Sequence, residues 1–290
     1  MFGVEVENVY IDAFVTVRGT PLQGLAAKDF ELRDNGVVQS LEIAASEAQP
    51  LLAVLALDTS GSLDGGKIEA LRAASQVLLD SLRPEDEATL FGFADGIQWL
   101  APPSTDKAAV SRALSTVQTG GGTTILDALY AALVLPKARG RTLVVLFTDG
   151  ADNLSWVDRK RMQVIAERSN AVIHVVSLSL PATLVATSQG DRVGPEGEAR
   201  PVEKPRVVEF ENTWALRTIA EATGGRFWQA ESLDRLRPAF AAIAEAMGKR
   251  YVLRYAPENV KRAGWHTIDL RLKGKKGEVR ARNGYWAADK

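Results

Sequence analysis

Leu51 to Leu57 is an unbroken apolar run that ends abruptly in Asp58-Thr59-Ser60-Gly61-Ser62. A strand with no polar alternate position is covered on both faces, which requires a sheet layered between helices. The sequence that follows keeps that rhythm. Ile68, Leu71, Ser75, Leu78 and Leu82 mark a helix stripe that stops at Pro84, and Ala88 to Phe93 reads as a strand. Val110, Leu114 and Val117 line a helix for which Thr105 is the expected cap, and Ile125, Leu129 and Leu133 line another. A second buried strand runs from Leu143 to Phe147, a helix follows Ser155, and a strand spans Ala171 to Val176. A helix with Trp214, Ile219 and Ala220 ends at Gly224-Gly225, which suits a left-handed cap. Strands alternating with helices at this spacing imply crossover units and a doubly wound, mostly parallel sheet of the α/β class.

This α/β domain is read over residues 49–248, and both flanks read as β. Ile11, Ala13, Val15 and Val17 alternate with Asp12, Phe14 and Thr16; Asp34-Asn35-Gly36 is a hairpin turn between Phe30 and Ile43. After a helix carrying Phe240, Ile243 and Met247, strands are expected at Tyr251–Tyr255, Trp265–Leu272 and Val279–Trp286. Neither flank has enough strands to be stable alone, so residues 1–48 and 249–290 are expected to pair as one antiparallel β module. Between 181 and 212 the pattern dissolves into Gly, Pro, Ser and charge, the composition of a flexible insertion open to proteolysis.

Composition narrows the chemistry. The absence of cysteine removes disulfides, thiolate nucleophiles and Cys-based zinc or iron-sulfur sites. Lys+Arg of 35 against Asp+Glu of 36 gives the chain no general pull toward nucleic acid. No apolar run reaches the roughly 18 residues of a spanning helix. His174 and His266 are the two imidazoles, one inside an apolar strand and one in the β tail, and both read as structural rather than as bases.

The chemistry gathers instead at the ends of the buried strands, where open α/β sheets bind their ligands. Asp58, Ser60 and Ser62 close the first buried strand, Thr123 follows Gly120-Gly121-Gly122 before a helix, and Asp149 lies just beyond the strand Leu143–Phe147. These are hard oxygen donors of the kind that Mg²⁺ or Ca²⁺ takes. Thr124 is an alternative to Thr123 by position. The glycine run lacks the Gly-Lys-Ser/Thr of a phosphate loop. Asp127 reads as an acidic residue in a helix's first turn; Asp152 and Asp158 read as rim decoration, and Trp99, Trp156, Trp214 and Trp228 as core or rim packing.

On Asp58-x-Ser60-x-Ser62, Thr123 in Gly-Gly-Thr and Asp149 in Thr-Asp-Gly, the chain resembles the von Willebrand factor A family, with its metal-ion-dependent adhesion site. A narrower resemblance is to bacterial, acidobacterial-type proteins with a von Willebrand factor A-related domain. It rests on Pro21-Leu22-Gln23-Gly24-Leu25, Asp29-Phe30 and Asp34-Asn35-Gly36 before the domain, Thr148-Asp149-Gly150-Ala151-Asp152-Asn153 within it, and Tyr251-Val252-Leu253-Arg254-Tyr255 and Arg282-Asn283-Gly284-Tyr285 after it. The resemblance implies a site for Mg²⁺, or Ca²⁺ or Mn²⁺. Ser60 and Ser62 would bind directly, Thr123 directly or through water, and Asp58 and Asp149 mostly through water. It also implies an adhesion module whose protein or other acidic partner supplies a carboxylate to the metal, in a chain exported to the periplasm or cell exterior after loss of a signal peptide; the cytosol stays open. The alternatives are a metal-dependent phosphoester hydrolase and a scaffold whose site is unused. Asp58 is expected in a polar, solvent-reached position, so that Asp58→Ala would leave the melting temperature nearly unchanged.

Overall fold

The computed structural model describes residues 8–44, 50–136, 140–179, 205–261 and 263–287, with 205–212 as backbone. Alternation opens the chain as expected. In β1 (Val9–Val17), Val9, Ile11, Ala13 and Val15 are buried while Tyr10 and Val17 face out. After the short β2 (Thr20–Pro21) come β3 (Phe30–Asp34) and β4 (Val37–Gln39). Between these two, Asn35 and Gly36 both take positive φ, 47° and 84°, the left-handed pair that a tight hairpin needs. Then β5 (Glu42–Ala44) leads toward the central sheet.

That sheet begins with β6 (Leu51–Asp58), all eight residues of which are buried. Its odd and even positions serve opposite layers: Leu55 and Leu57 belong to one core, and Leu52, Val54 and Ala56 to the other. Each of these leucine and valine side chains removed from water contributes about 1.5–3 kcal/mol. The chain continues through α1 (Gly66–Asp80), β7 (Glu87–Phe93), β8 (Ile97–Ser104), α2 (Lys107–Ser115), α3 (Ile125–Val134), β9 (Arg141–Thr148), α4 (Arg159–Arg168) and β10 (Ala171–Leu178). It then forms α5 (Pro205–Ala222), β11 (Phe227–Ala230) and α6 (Leu236–Gly248). Strand order is β11-β10-β9-β6-β7-β8, parallel except for β8 on the edge. The α/β sheet flanked by helices is the expected class.

Details depart from the sequence reading. The side chain that caps α2 is Asp106, accepting from Ala109 N–H at 3.1 Å, rather than Thr105. Asp158, read as rim decoration, caps α4 by accepting from Arg161 N–H. Helix α5 starts inside the 181–212 span that the composition marked as an insertion; residues 180–204 of that span lie outside the described residues. The tail read as one strand is two, since β14 (Glu278–Arg280) and β15 (Gly284–Ala287) join different sheets.

With β12 (Tyr251–Tyr255) and β13 (Gly264–Leu272), these strands complete the antiparallel layers at the termini. One sheet runs β14-β1-β12-β5 with β2 beside β1; the other runs β15-β13-β3-β4. Their facing sides enclose Ile11, Phe30, Leu32, Leu253 and Tyr255. At the centre, Asp34 is fully buried yet accepts hydroxyl hydrogen bonds from Tyr255 at 2.8 Å and Tyr285 at 2.9 Å, while His266 Nδ1 lies 2.7 Å from its other oxygen.

Arginines join these layers to the α/β sheet. Arg250 donates to the carbonyls of Asp12 and Gly224, and Arg282 donates to those of Glu167 and Ser169 and to Asn170 Oδ1. Arg141 Nη2 approaches Asp12 Oδ1 to 2.7 Å as an ion pair, off the line of a hydrogen bond. These anchor points are the start of β9, the end of α4 and the turn after α5. All sit at the amino ends of the parallel strands, the pole opposite Asp58.

Candidate metal centre

Because β6 and β9 are adjacent and parallel, their carboxyl ends bring Asp58 and Asp149 to one place. The turn after β6 adds Ser60 and Ser62, and the approach to α3 adds Thr123. The contacts form a chain. Ser60 Oγ lies 3.0 Å from Ser62 Oγ, which donates to Asp149 Oδ1 at 2.6 Å. Asp58 is held from both sides, Oδ1 accepting from Ser60 N–H at 2.9 Å and Oδ2 from the Thr148 hydroxyl at 2.7 Å.

The expectation of a solvent-reached Asp58 is wrong: its exposure is 0%, because β7 and β9 flank β6 and Thr148 roofs the carboxylate. Burial pushes the Asp58 carboxyl above its ordinary range; hydrogen bonds from Ser60 and Thr148 oppose the shift, and nearby Asp149 adds to it. Ser60 and Thr123 are also buried, while Ser62 is exposed and opens the cluster to solvent.

Backbone stitches hold the three segments in register. Gly61 N–H donates to Gly121 O at 3.2 Å and Gly120 N–H to Thr59 O at 2.8 Å. Gly121 takes a φ of 81°, and a Cβ there would meet Asp95 Oδ2 at 2.6 Å, so glycine is required. Asp95 accepts from Gly122 N–H. The two threonines separate by geometry: Thr124 donates its hydroxyl to Ala94 O at 3.1 Å, whereas Thr123 Oγ1 lies beside Gly150, next to Asp149. Asn153 fixes Thr123 by accepting its N–H at 3.0 Å and donating its own N–H to the Thr123 carbonyl at 3.1 Å.

Two participants, Asp95 and Lys67, carried no sequence signal, and two more, Thr148 and Asn153, stood in the sequence only as motif neighbours of Asp149. Lys67, in the first turn of α1, folds back to donate to Ser62 O at 2.7 Å and to pair with Asp149 Oδ2 at 2.8 Å. Asp127 accepts from Trp156 and Val157 N–H, so it holds the loop after β9 as well as entering α3. Trp156, expected to pack in core or rim, is 93% exposed at the crest of that loop.

Among the described residues no group of three or more His, Asp or Glu side chains is placed to hold a metal. The cluster instead offers three hydroxyls and two carboxylates, a set that fits a hard divalent cation keeping part of its water shell.

Comparison with known proteins places a family match over the stretch that holds this cluster. Residues 53–151, which span β6 to the turn beyond β9 and contain all five residues, match the family profile of the von Willebrand factor type A domain. The chain carries a von Willebrand factor type A domain. Among sequence relatives is inter-alpha-trypsin inhibitor heavy chain H4 of Bos taurus, 29% identical over 160 residues, covering 50% of this chain and 18% of that protein. The chain thus matches less than a fifth of that relative's length. Among solved structures, a von Willebrand factor type A protein from Catenulispora acidiphila superposes with a TM-score of 0.55 at 14% identity, over 92% of this chain and 76% of that one. Proximal thread matrix protein 1 from the mussel byssus, in a form with a zinc-occupied metal-ion-dependent adhesion site, superposes at 0.53 and 15% identity, over 73% and 49%. At these identities the superpositions establish the fold of the domain.

Proposed function

We propose that the von Willebrand factor A domain of this chain binds a divalent cation at Asp58, Ser60, Ser62, Thr123 and Asp149, and through it a protein or other acidic partner that supplies a carboxylate. The observation that carries the reading is the continuous contact from Ser60 through Ser62 to Asp149, assembled from separate segments at the ligand end of the sheet. The bound cation would act as a Lewis acid linking the domain's oxygens to the partner's. Ser60, Ser62 and Thr123 would supply neutral donors that leave the cation's charge unspent, while Asp149 orients the Ser62 hydroxyl and Asp58 fixes the Ser60 backbone. Ser62, open to solvent, marks the side from which a partner arrives. Leu154 and Trp156, both exposed on the neighbouring loop, add apolar area of the kind that anchors protein interfaces.

The phosphoester hydrolase reading is disfavoured by where the imidazoles lie. His174 is buried in β10 beside Trp228, and His266 is locked to Asp34 in the terminal layers. Export of the chain is part of the same proposal, resting on the resemblance to bacterial exported relatives. Calorimetric titration with Mn²⁺ and Mg²⁺ of the wild type and Ser62→Ala, beside a phosphoester panel, tests the reading. Binding weakened at least about tenfold in Ser62→Ala, with no turnover, is the expected result. Metal-dependent turnover lost in the same variant would replace it with the enzyme, and no binding of either metal, even with acetate present, would remove the site.

A further inference from the structure

Every carboxylate oxygen in the cluster already has a protein partner, and one of those partners is a cation. Asp58 is satisfied by Ser60 N–H and Thr148, and Asp149 Oδ1 by Ser62. Asp149 Oδ2 is taken by the Lys67 ammonium. The pair is not a loose surface contact: the Asp149 side chain is 2% exposed, that of Lys67 27%, and Lys67 is tied a second time to the Ser62 carbonyl. An ammonium fixed between two segments of the site acts on its charge balance at close range and with little screening.

We infer that Lys67 sets the site's demand for an anionic ligand, lowering its affinity for a divalent cation alone and coupling cation binding to carboxylate binding. The inference rests on the reading of the five residues as a metal site. The charge count gives the reason. With both carboxylates ionised, Asp58, Asp149 and Lys67 sum to −1, so a divalent ion leaves the site at +1 and a partner carboxylate returns it to zero. Without Lys67 the same ion alone reaches zero, and the carboxylate gains nothing from the local charge. Lys67 is therefore a specificity-determining residue: it favours partners that bring negative charge and disfavours occupation by the cation and water alone.

The test is calorimetric titration of Mn²⁺ into the wild type, Lys67→Gln and Lys67→Arg, each with and without acetate as the carboxylate probe. Far-ultraviolet circular dichroism confirms folding. Lys67→Gln keeps a donor toward Ser62 O while removing charge, and Lys67→Arg keeps the charge. Lys67→Gln is expected to bind Mn²⁺ alone about tenfold or more tighter than the wild type, a charge effect of the expected size for partly screened ions. In that variant the gain from acetate should shrink, while Lys67→Arg should stay near wild type. Binding by Lys67→Gln where the wild type shows none would support the inference in its strongest form. Wild-type binding with no tightening in folded Lys67→Gln, and unchanged acetate coupling, would overturn the inference and leave the site standing. No Mn²⁺ binding by any of the three would overturn both.

Discussion

Asp58 is buried to 0% with both oxygens engaged, and that changes what its removal does. Asp58→Ala would strand Ser60 N–H and the Thr148 hydroxyl in a dry strand end, costing about 1–3 kcal/mol as well as the site. Urea unfolding should show the loss, with a clearly smaller one for Asp58→Asn; equal stability of Asp58→Ala and wild type would mean that water replaces the carboxylate. Asp34 extends the argument to the terminal layers. Asp34→Ala orphans two tyrosine hydroxyls and a histidine at once, for a cost of about 3–5 kcal/mol, whereas Tyr255→Phe removes one donor and should cost about 1 kcal/mol. At this scale the sequence displayed the five candidate donors through their spacing and order. It hid Lys67, because a lysine in a helix's first turn looks like any solvated lysine, and it showed Thr148 only as a motif neighbour, since its bond to Asp58 needs β6 and β9 side by side.

Elements were legible where a period lasted, as in β1, β6, α1, β9 and β10, and illegible where the element was brief or its composition argued against it. Strand β8 includes Pro102 and Pro103, which argue against a strand by composition and are tolerated because β8 is the sheet's edge. Strand β11 has four residues and begins three positions after the left-handed Gly224, with φ 78°, in the turn after α5. At the next residue a Cβ would sit 1.8 Å from Ile173 O, so Gly225→Ala must push β11 off β10. A destabilisation of about 3 kcal/mol or more is expected in thermal or urea melts, and a neutral result would show the turn able to shift. His174, in the same strand pair, gives a pH dependence. Burial first, then Arg250, lowers its pKa from 6.5 to about 3 in the fold. The unfolded chain therefore takes up a proton below about 6.5 that the fold refuses, so this contribution to stability is complete above that pH and falls as pH drops toward 3. The slope from this residue reaches at most about 1.4 kcal/mol per pH unit. Urea unfolding at a series of pH values should show a shallower decline in His174→Gln than in wild type, and parallel curves would refute the assignment.

In the whole molecule, the first and last strands are one folding problem. β1 is hydrogen-bonded to β12 and β14, and β3 to β13, so the N-terminal strands have few partners without the C-terminal ones. Removing residues 251–290 should speed amide exchange across 9–17 and 30–39 while leaving β6 and β9 protected; unchanged exchange in β1 would count against this dependence. The pairing was foreseeable from strand number alone. The arginine clasp was not, since Arg141, Arg250 and Arg282 are scattered in sequence, Arg141 meeting the Asp12 carboxylate and the other two carbonyls that only the fold brings to them. The clasp places these layers at the pole away from Ser62, and both ends of the described chain, Asn8 and Ala287, belong to them. A label joined near Asn8 or near Ala287 would therefore meet the fold on the side away from Ser62. Coupled to a sensor at either of these positions, the protein should leave the oxygen cluster equally open to solution, and a Mn²⁺ response lost for one attachment alone would count against this placement.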